Sequence, residues 1–401
     1  MRTDTRILIS GASIAGCCLA FWLRRYGFAP LVVEKAGAFR DGGQNVDVSG
    51  PAEKVVTLMG LDGAIRSRTT REAGIEFVRT DGRPAGVFPK GTATSFTRDI
   101  EILRGDLARV FFDATRDSVH YRFGRTIDRL GQSASEATVH FDDGASDRFD
   151  VVVSAEGIGS PTRRQVMGDR VDIAFLRVYT AYFRIPRSPS DTDWARWFAA
   201  PGGRVVVVRP GGPGALSVAV SFWSDDGDID ARHPTDQRRL VREALAGLGW
   251  ECPRIVAHLD HDPDFFFGPL AQVKARAWSS GRFVLVGDAA CCPSPLTGMG
   301  TSLAILGAYV LAGEIARHAD FAYAFRAYER ILRPYAEKAQ RLPPGAPRLA
   351  FPRTAAGVGL FNAATRVAAS RPVQRLLALG AGGGGPVDYG FELPSYREHE
   401  R

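Results

Sequence analysis

The stretch Arg6-Ile7-Leu8-Ile9-Ser10-Gly11-Ala12-Ser13-Ile14-Ala15-Gly16 decides how this chain folds. Arg6 to Ser10 is a short apolar run, the pattern of a strand buried on both faces. Gly11 follows at once, and Cys17 to Tyr26 reads as a helix that stops at Gly27. Leu31-Val32-Val33-Glu34 is then a second strand ending in an acid. Together these make a dinucleotide-binding βαβ unit. Gly11 permits the tight turn, Gly16 lets helix and strand pack closely, and the N–H groups around Ser13, Ile14 and Ala15 face a pyrophosphate. Glu34, eighteen residues past Gly16, reaches a ribose, with Lys35 beside it. Ser13 stands where the fingerprint has its middle glycine, and its small side chain narrows the phosphate approach.

Working outward, Gly281 to Val286 is another apolar run, followed by Gly287-Asp288-Ala289-Ala290-Cys291-Cys292-Pro293-Ser294-Pro295-Leu296-Thr297-Gly298-Met299-Gly300-Thr301. This reads as strand, Pro/Gly-rich loop and helix start. Asp288 at the strand end can accept hydrogen bonds from a sugar-like hydroxyl chain. The N–H groups of Gly298, Met299, Gly300 and Thr301, at a positive helix end, can stabilise negative charge. Between the two motifs lies Asp150-Val151-Val152-Val153-Ser154-Ala155-Glu156-Gly157-Ile158-Gly159-Ser160-Pro161-Thr162-Arg163.

In this order the three segments resemble the signatures of the single-component (class A) FAD-dependent monooxygenases. These include p-hydroxybenzoate hydroxylase-like, polyketide-hydroxylating and tetracycline-inactivating enzymes, and the chain is most similar to the tetracycline-inactivating and natural-product branch. The resemblance covers roughly residues 5 to 340. It implies an α/β fold: a Rossmann-like FAD-binding domain of the GR2 type, an inserted antiparallel β-sheet substrate domain, and C-terminal helices. It also implies FAD held by the three motifs, with Pro295 in the third. NADPH or NADH would act as transient co-substrate at the flavin cleft, through Glu156, Ser160 and Arg163. O2 would react through a C4a-hydroperoxyflavin that hydroxylates an aromatic or polyketide-like molecule. Two residues depart from the family pattern: Glu156 replaces an aspartate, and Cys291 replaces a histidine. Arg104, opening a helix in Ile102-Leu103-Arg104-Gly105-Asp106-Leu107, matches a family arginine beside the FAD phosphates or ribityl chain; a guanidinium suits phosphate. Gly42-Gly43-Gln44-Asn45-Val46-Asp47 resembles a loop near the flavin ring, which brings Gln44 and Asp47 to the cofactor. By itself it reads as a polar turn into a helix starting near Pro51.

Composition is consistent with this class. The chain has 401 residues, 45% of them hydrophobic, enough for two lobes and a tail. The expected division is 1–72, 100–165 and 276–345 for FAD, 73–99 and 166–275 for substrate, and 346–401 as helix and tail. Net charge is +7, but the cations are almost all arginine and scattered, with five lysines and no basic run, so nucleic acid is not expected. Five cysteines in two adjacent pairs plus one form neither a disulfide framework nor a zinc pattern, and the seven histidines show no metal spacing. Gly11 and Gly16 interrupt the apolar N-terminus, so a cleaved leader is not expected, nor is a membrane span. A cytoplasmic monomer or homodimer follows.

Arg177 to Ile185, Arg204 to Val208, Leu216 to Trp223 and Phe265 to Val273 read as strands of a sheet roofing the substrate, joined by Ile75 to Val87. Tyr179, Tyr182, Phe183, Trp197, Phe222 and Trp223 are candidates for the face that roofs the substrate, Tyr179, Phe183 and Phe222 foremost. Thr235 to Gly247 is a helix with Thr235 as N-cap. Thr301–Ile315, Phe321–Gln340 and Val358–Leu379 are further helices, and Gly380 to Gly385 a flexible link into a polar tail. Two rival readings remain open. One is a Baeyer–Villiger, epoxidising or oxidase enzyme on the same fold, and the other a non-catalytic flavin or small-molecule binder.

Overall fold

The structure, a computed structural model, describes residues 4–92, 95, 97–380 and 390–399. Strand β1 (Ile7–Ser10) is buried along its whole length because it is central in a six-stranded sheet. It pairs in parallel with Val151–Ser154 on one side and with β2 (Leu31–Glu34) on the other. Phe283–Leu285 and His120–Phe123 extend the parallel set, and Ser279–Ser280 closes one edge antiparallel. Helix α1 (Ile14–Arg25) crosses between β1 and β2, with Arg24 and Arg25 at its negative end, and Gly27 at φ 87 ends it. The long helix Gly300–Arg317 packs on α1, where Trp22 meets Tyr309 edge to face at 4.8 Å.

A seven-stranded sheet runs in the order Phe266–Ala275, Val171–Pro186, Ala215–Trp223, Arg204–Pro210, Trp194–Ala200, Gly74–Val78, Pro84–Pro89. The expected strands lie in it, together with Trp194–Ala200, which the sequence reading did not name. It is antiparallel except where Gly74–Val78, arriving from an earlier insertion, pairs in parallel with Trp194–Ala200. The outer face packs on helices Pro234–Leu245 and Cys252–His258, closing a core around Phe183, Phe198, Val220, Val241 and Ile255. His233, not Thr235, caps the first of these: its Nδ1 accepts from the Thr235 N–H at 3.3 Å.

Three other expectations change. Asn45–Val48, expected as turn, is a strand paired antiparallel with Ile100–Leu103. The single helix at 358–379 is two, Ala355–Ala368 and Arg371–Gly380. Residues 381–389 of the glycine string and its sequel lie outside the described residues, but the tail beyond returns to the core. Tyr396 is fully buried against Gly313 and donates to Glu314 Oε1 at 2.6 Å, while Tyr309 donates to the Pro394 carbonyl at 2.7 Å. Among the described residues no helix is long and apolar enough to cross a membrane.

Candidate active site

The first half of the site is a cradle of backbone. Gly11 sits at φ 108, where a Cβ would come within 2.5 Å of the Ala155 carbonyl oxygen. A Cβ at Gly16 would fall 1.8 Å from the Gly11 oxygen, so only hydrogen lets α1 close on the turn. Ser13 is the helix N-cap, yet its hydroxyl caps nothing; it accepts instead from Arg104 Nη2 at 3.0 Å. Ile14 and Ala15 are buried. At the end of β2 the Glu34 carboxylate accepts from the Ala12 and Ala36 N–H groups, each at 2.9 Å, which fixes its direction and leaves lone pairs open. Lys35 is exposed next to it.

Arg104 opens the helix Arg104–Asp113, and its own N–H is held by the Gln44 carbonyl at 2.9 Å. That contact lays the Gly42–Gln44 loop on the arginine, and a Cβ on Gly43 would stand 3.2 Å from Arg104 Cβ. Desolvation by the surrounding site lowers the Arg104 pKa while Asp288 and Glu34 oppose the change by attraction, and the side chain keeps contact with solvent. Asp288 opens the short helix Asp288–Cys291 after Gly287, itself at φ 63 against Ala15. Burial raises the Asp288 pKa and Arg104 draws it back. Its Oδ1 lies 3.6 Å from where a Cβ of Gly300 would be, at the N-terminus of Gly300–Arg317. Met299 buries its side chain, Thr301 is nearly buried, and Pro295 starts a single 3₁₀ turn ended by Gly298 in the left-handed region. From Gly298, a Cβ would lie 3.8 Å from Asp47 Oδ2.

Glu34, Ser13 with Arg104, Asp288 with Gly300, and Gly298 with Asp47 therefore follow one another along one continuous line. An acid for a ribose comes first, then a helix end and a cation for a pyrophosphate, a second acid for a polyol, and a second helix end for an anionic ring edge. This sequence of functions fits FAD from adenosine to pyrimidine. It does not fit FMN, which would leave Glu34 and the β1–α1 turn without a partner.

The middle motif lies behind this line. Glu156 accepts five hydrogen bonds: Ser10 Oγ at 2.6 Å, Ser160 Oγ at 2.5 Å, Thr162 Oγ1 at 2.7 Å, Thr162 N at 3.2 Å and Ser154 Oγ at 3.3 Å. The extra methylene of glutamate lets one carboxylate span from β1 to the start of helix Pro161–Met167. Ser160 is fully buried as that helix's N-cap. Arg163, 3% exposed, donates to the carbonyls of Ile158 and Ala289 at 2.5 and 3.2 Å. Gly157 bends the loop at φ 79. Glu156, Ser160 and Arg163, expected at the nicotinamide step, bond to each other, to the hydroxyls of Ser10, Ser154 and Thr162 and to backbone, and Arg163 ties the middle motif to the Asp288 segment. Cys291 ends the short helix that Asp288 opens and lines a cleft of about 620 Å³ beside Trp278 and Arg333, where burial pushes its thiol pKa well up and Asp288 adds to the shift.

The roof corrects the substrate assignment. Tyr179, Phe183 and Phe222 all belong to the outer face and pack toward the two small helices; the Tyr179 hydroxyl points to Asp230 at 3.3 Å. The inner face carries the alternate residues. Val178, Val205, Leu270, Trp197 and Trp223 gather with Phe351 and with Leu296 of the cofactor loop. Thr180 and Ser221 hydroxyls meet there at 2.8 Å. Tyr182, on the same face, has its pKa pushed up by burial to about 12.

At one end of this face stands a polar cluster that the sequence reading missed. Arg209 pairs with Glu72 at 2.9 Å and Glu101 at 2.8 Å, and Asn45 Nδ2 donates to Glu101 Oε1 at 2.9 Å. Thr97 Oγ1 donates to Glu72 at 2.6 Å. Asp47 faces Glu101 directly across the Asn45–Val48 ladder.

Comparison with known proteins agrees. Residues 4–343 match the family model of the FAD binding domain. The chain belongs to the FAD-binding monooxygenase family. It is 36% identical to Monooxygenase CTB7 of Cercospora beticola, over 94% of this chain and 95% of that one. It is also 36% identical to FAD-dependent monooxygenase asL4 of Sarocladium schorii, over 78% of this chain and 76% of that one. Among solved structures, tetracycline destructase Tet(51) superposes with a TM-score of 0.82 at 29% identity, over 98% of this chain and 100% of the other. The protein is an FAD-dependent monooxygenase with a Rossmann-like cofactor domain and an inserted sheet.

Proposed function

We propose that this monooxygenase consumes NADPH or NADH and O2 to hydroxylate an aromatic or polyketide-like small molecule. The observation that carries the reading is the line from Glu34 to Asp47, which ends beneath the inner face of the seven-stranded sheet. Residues 1–72, 100–165 and 276–345 would hold the cofactor, 73–99 and 166–275 would enclose the substrate, and the helix Ala355–Ala368 would help close the chamber. When bound, FAD supplies hydride acceptance and O2 activation, which no side chain here can provide. Glu34 grips the adenosine ribose, and Ser13 with Arg104 the pyrophosphate. Asp288 orients the ribityl chain, and the N–H groups of Gly298 to Thr301 stabilise negative charge at the pyrimidine edge. Asp47 borders that edge.

Val178, Val205, Leu270 and Phe351 exclude water from the reacting centre. Trp197, Trp223 and Tyr182 offer ring surfaces to a flat substrate, and Thr180, Ser221 and Arg209 offer hydrogen bonds. The likeness to a tetracycline destructase favours polycyclic substrates, including tetracycline-type antibiotics. Glu156, Ser160 and Arg163 brace the cleft behind the cofactor line, where the nicotinamide would approach. The test is anaerobic bleaching of the bound flavin by NADPH and by NADH, with and without polycyclic phenols, followed by mass spectrometry of products formed under labelled O2. One labelled oxygen in the product is expected. Bleaching without label in any product would point to an oxidase, and no bleaching with either nucleotide would sink the proposal.

A further inference from the structure

The inner face of the seven-stranded sheet is half-open along a row of cross-strand neighbours. Phe266 faces Tyr182, Tyr182 faces Ala219, Ala219 faces Val207, and Val207 faces Trp197. Direct cross-strand partners project to the same side, so these five side chains, one from each of five adjacent strands, form a stripe. Phe266 is 50% exposed, and the other four are partly exposed. The next row, Gly268, Thr180, Ser221, Val205 and Ala199, is buried throughout. Arg209, opposite Ser217, borders the other flank. Size varies along the stripe. Phe266 and Tyr182 stack at one end with ring centroids 6.3 Å apart, Trp197 stands at the other, and the smaller Ala219 and Val207 leave a dip between them. Gly268 keeps space for the Phe266 ring, since a Cβ there would stand 3.1 Å from it, while its own φ is not positive. A glycine inside a strand without a backbone reason marks close approach. Four strand spacings separate the ends of the row by roughly 19 Å.

We infer that this row sets the ring count of the substrate. A planar fused-ring molecule lies along it, held at one end by Phe266 with Tyr182 and at the other by Trp197. Ala219 and Val207 are the specificity-determining residues, because their small side chains admit the middle rings. This rests on the reading that the inner face is the substrate side of a hydroxylating monooxygenase. A molecule of two fused rings occupies one end of the row and is indifferent to the dip. One of four linearly fused rings must pass over it, so a bulky side chain at the dip excludes the long molecule and spares the short one. Phe266 supplies the outer ring surface; an aromatic half open on an edge strand contributes little to the core and stays available for stacking. Arg209 beside the row is placed to donate to a phenolic oxygen.

The experiment measures binding of two probes, a naphthol with two fused rings and tetracycline with four, to FAD-loaded protein. Calorimetry and the perturbation of flavin absorbance give the affinities, and FAD content and melting temperature are recorded for each variant. Ala219→Phe should weaken tetracycline by about 30-fold or more and leave the naphthol within about threefold. Val207→Phe should do the same, and it decides the matter if Ala219→Phe does not fold. Phe266→Ala should weaken tetracycline about tenfold, and Phe266→Tyr should restore it. Equal losses for both probes, or none for either, would overturn the inference, as would wild-type protein that binds no tetracycline. Loss of FAD in place of loss of tetracycline in Phe266→Ala would move that ring from the substrate to the cofactor and overturn its part. The underlying reading fails separately. Tetracycline bound along the row with no labelled oxygen in any product would remove the hydroxylation and leave the row standing.

Discussion

Two carboxylate sites on either side of the cofactor line are built on opposite terms. Glu156 accepts five hydrogen bonds, from hydroxyls and one N–H. Asp47 and Glu101, by contrast, keep one oxygen each that is buried and without a partner. A saturated buried carboxylate is a joint, because its lone pairs are committed to the fold. An undersatisfied one is a cost to the fold, tolerated where its charge or proton serves something else. The contrast separates structural from chemical acids more sharply than their place in the family motifs does.

Several substitutions would break or sharpen that contrast. Glu156→Ala should have the largest effect, on stability: several charge-assisted bonds go, and about 3 kcal/mol should be lost in denaturant unfolding. Flavin that remains bound should still bleach with NADPH at close to the wild-type rate, and a large fall in that rate would return Glu156 to the chemistry. Asp288→Ala belongs on the cofactor side. Loss of a hydrogen bond to a charged group, roughly 1.5–3 kcal/mol, should weaken FAD at least tenfold, with little change in apoprotein melting. Unchanged FAD affinity would remove Asp288 from the line.

Glu101→Gln should act on stability in a pH-dependent way. A carboxyl whose folded pKa lies above its unfolded value contributes stability below the unfolded pKa and loses it as pH rises through the folded one. Wild-type protein should therefore lose stability as pH rises through about 7, the Glu101 value. The amide escapes its share of that loss, so the variant should gain about 1 kcal/mol over wild type at pH 8 and nothing at pH 5. Equal gains at both values would show that Glu101 titrates normally. The smallest effect is expected of Glu156→Asp, since the shorter arm keeps the charge and forfeits only part of its reach. A cost of about 1 kcal/mol or less, with unaltered bleaching, would fit; a cost as large as that of alanine would mean that the extra methylene is indispensable.

The cofactor half of the molecule was legible because its requirements are local. Gly11 and Gly16 announce close backbone approach, Ile7 to Ser10 a strand buried on both faces, and Asp288 a strand end, each within a dozen residues. The chamber was not legible, for two reasons. Strand periodicity assigns Tyr179 and Tyr182 to opposite faces but cannot say which face meets the cofactor when both are buried. The acid cluster draws Asp47, Glu72, Glu101 and Arg209 from four separate segments, and Asn45–Val48 reads as a polar turn until Ile100–Leu103 pairs with it. His233 as a cap and the return of Tyr396 to the core were hidden likewise, since each depends on contacts made after the local chain is set.

The alternation along Val171–Pro186 has a consequence for how such an enzyme diversifies. Val178, Thr180 and Tyr182 lie on the face that meets Leu296 and Phe351, the proposed substrate side, whereas Tyr179, Ala181 and Phe183 face the small helices. Neighbouring codons therefore answer to different selective pressures. A library randomised at the first set would explore new substrates on an intact scaffold. One randomised at the second, a single residue out of step, would mostly sample failures to fold.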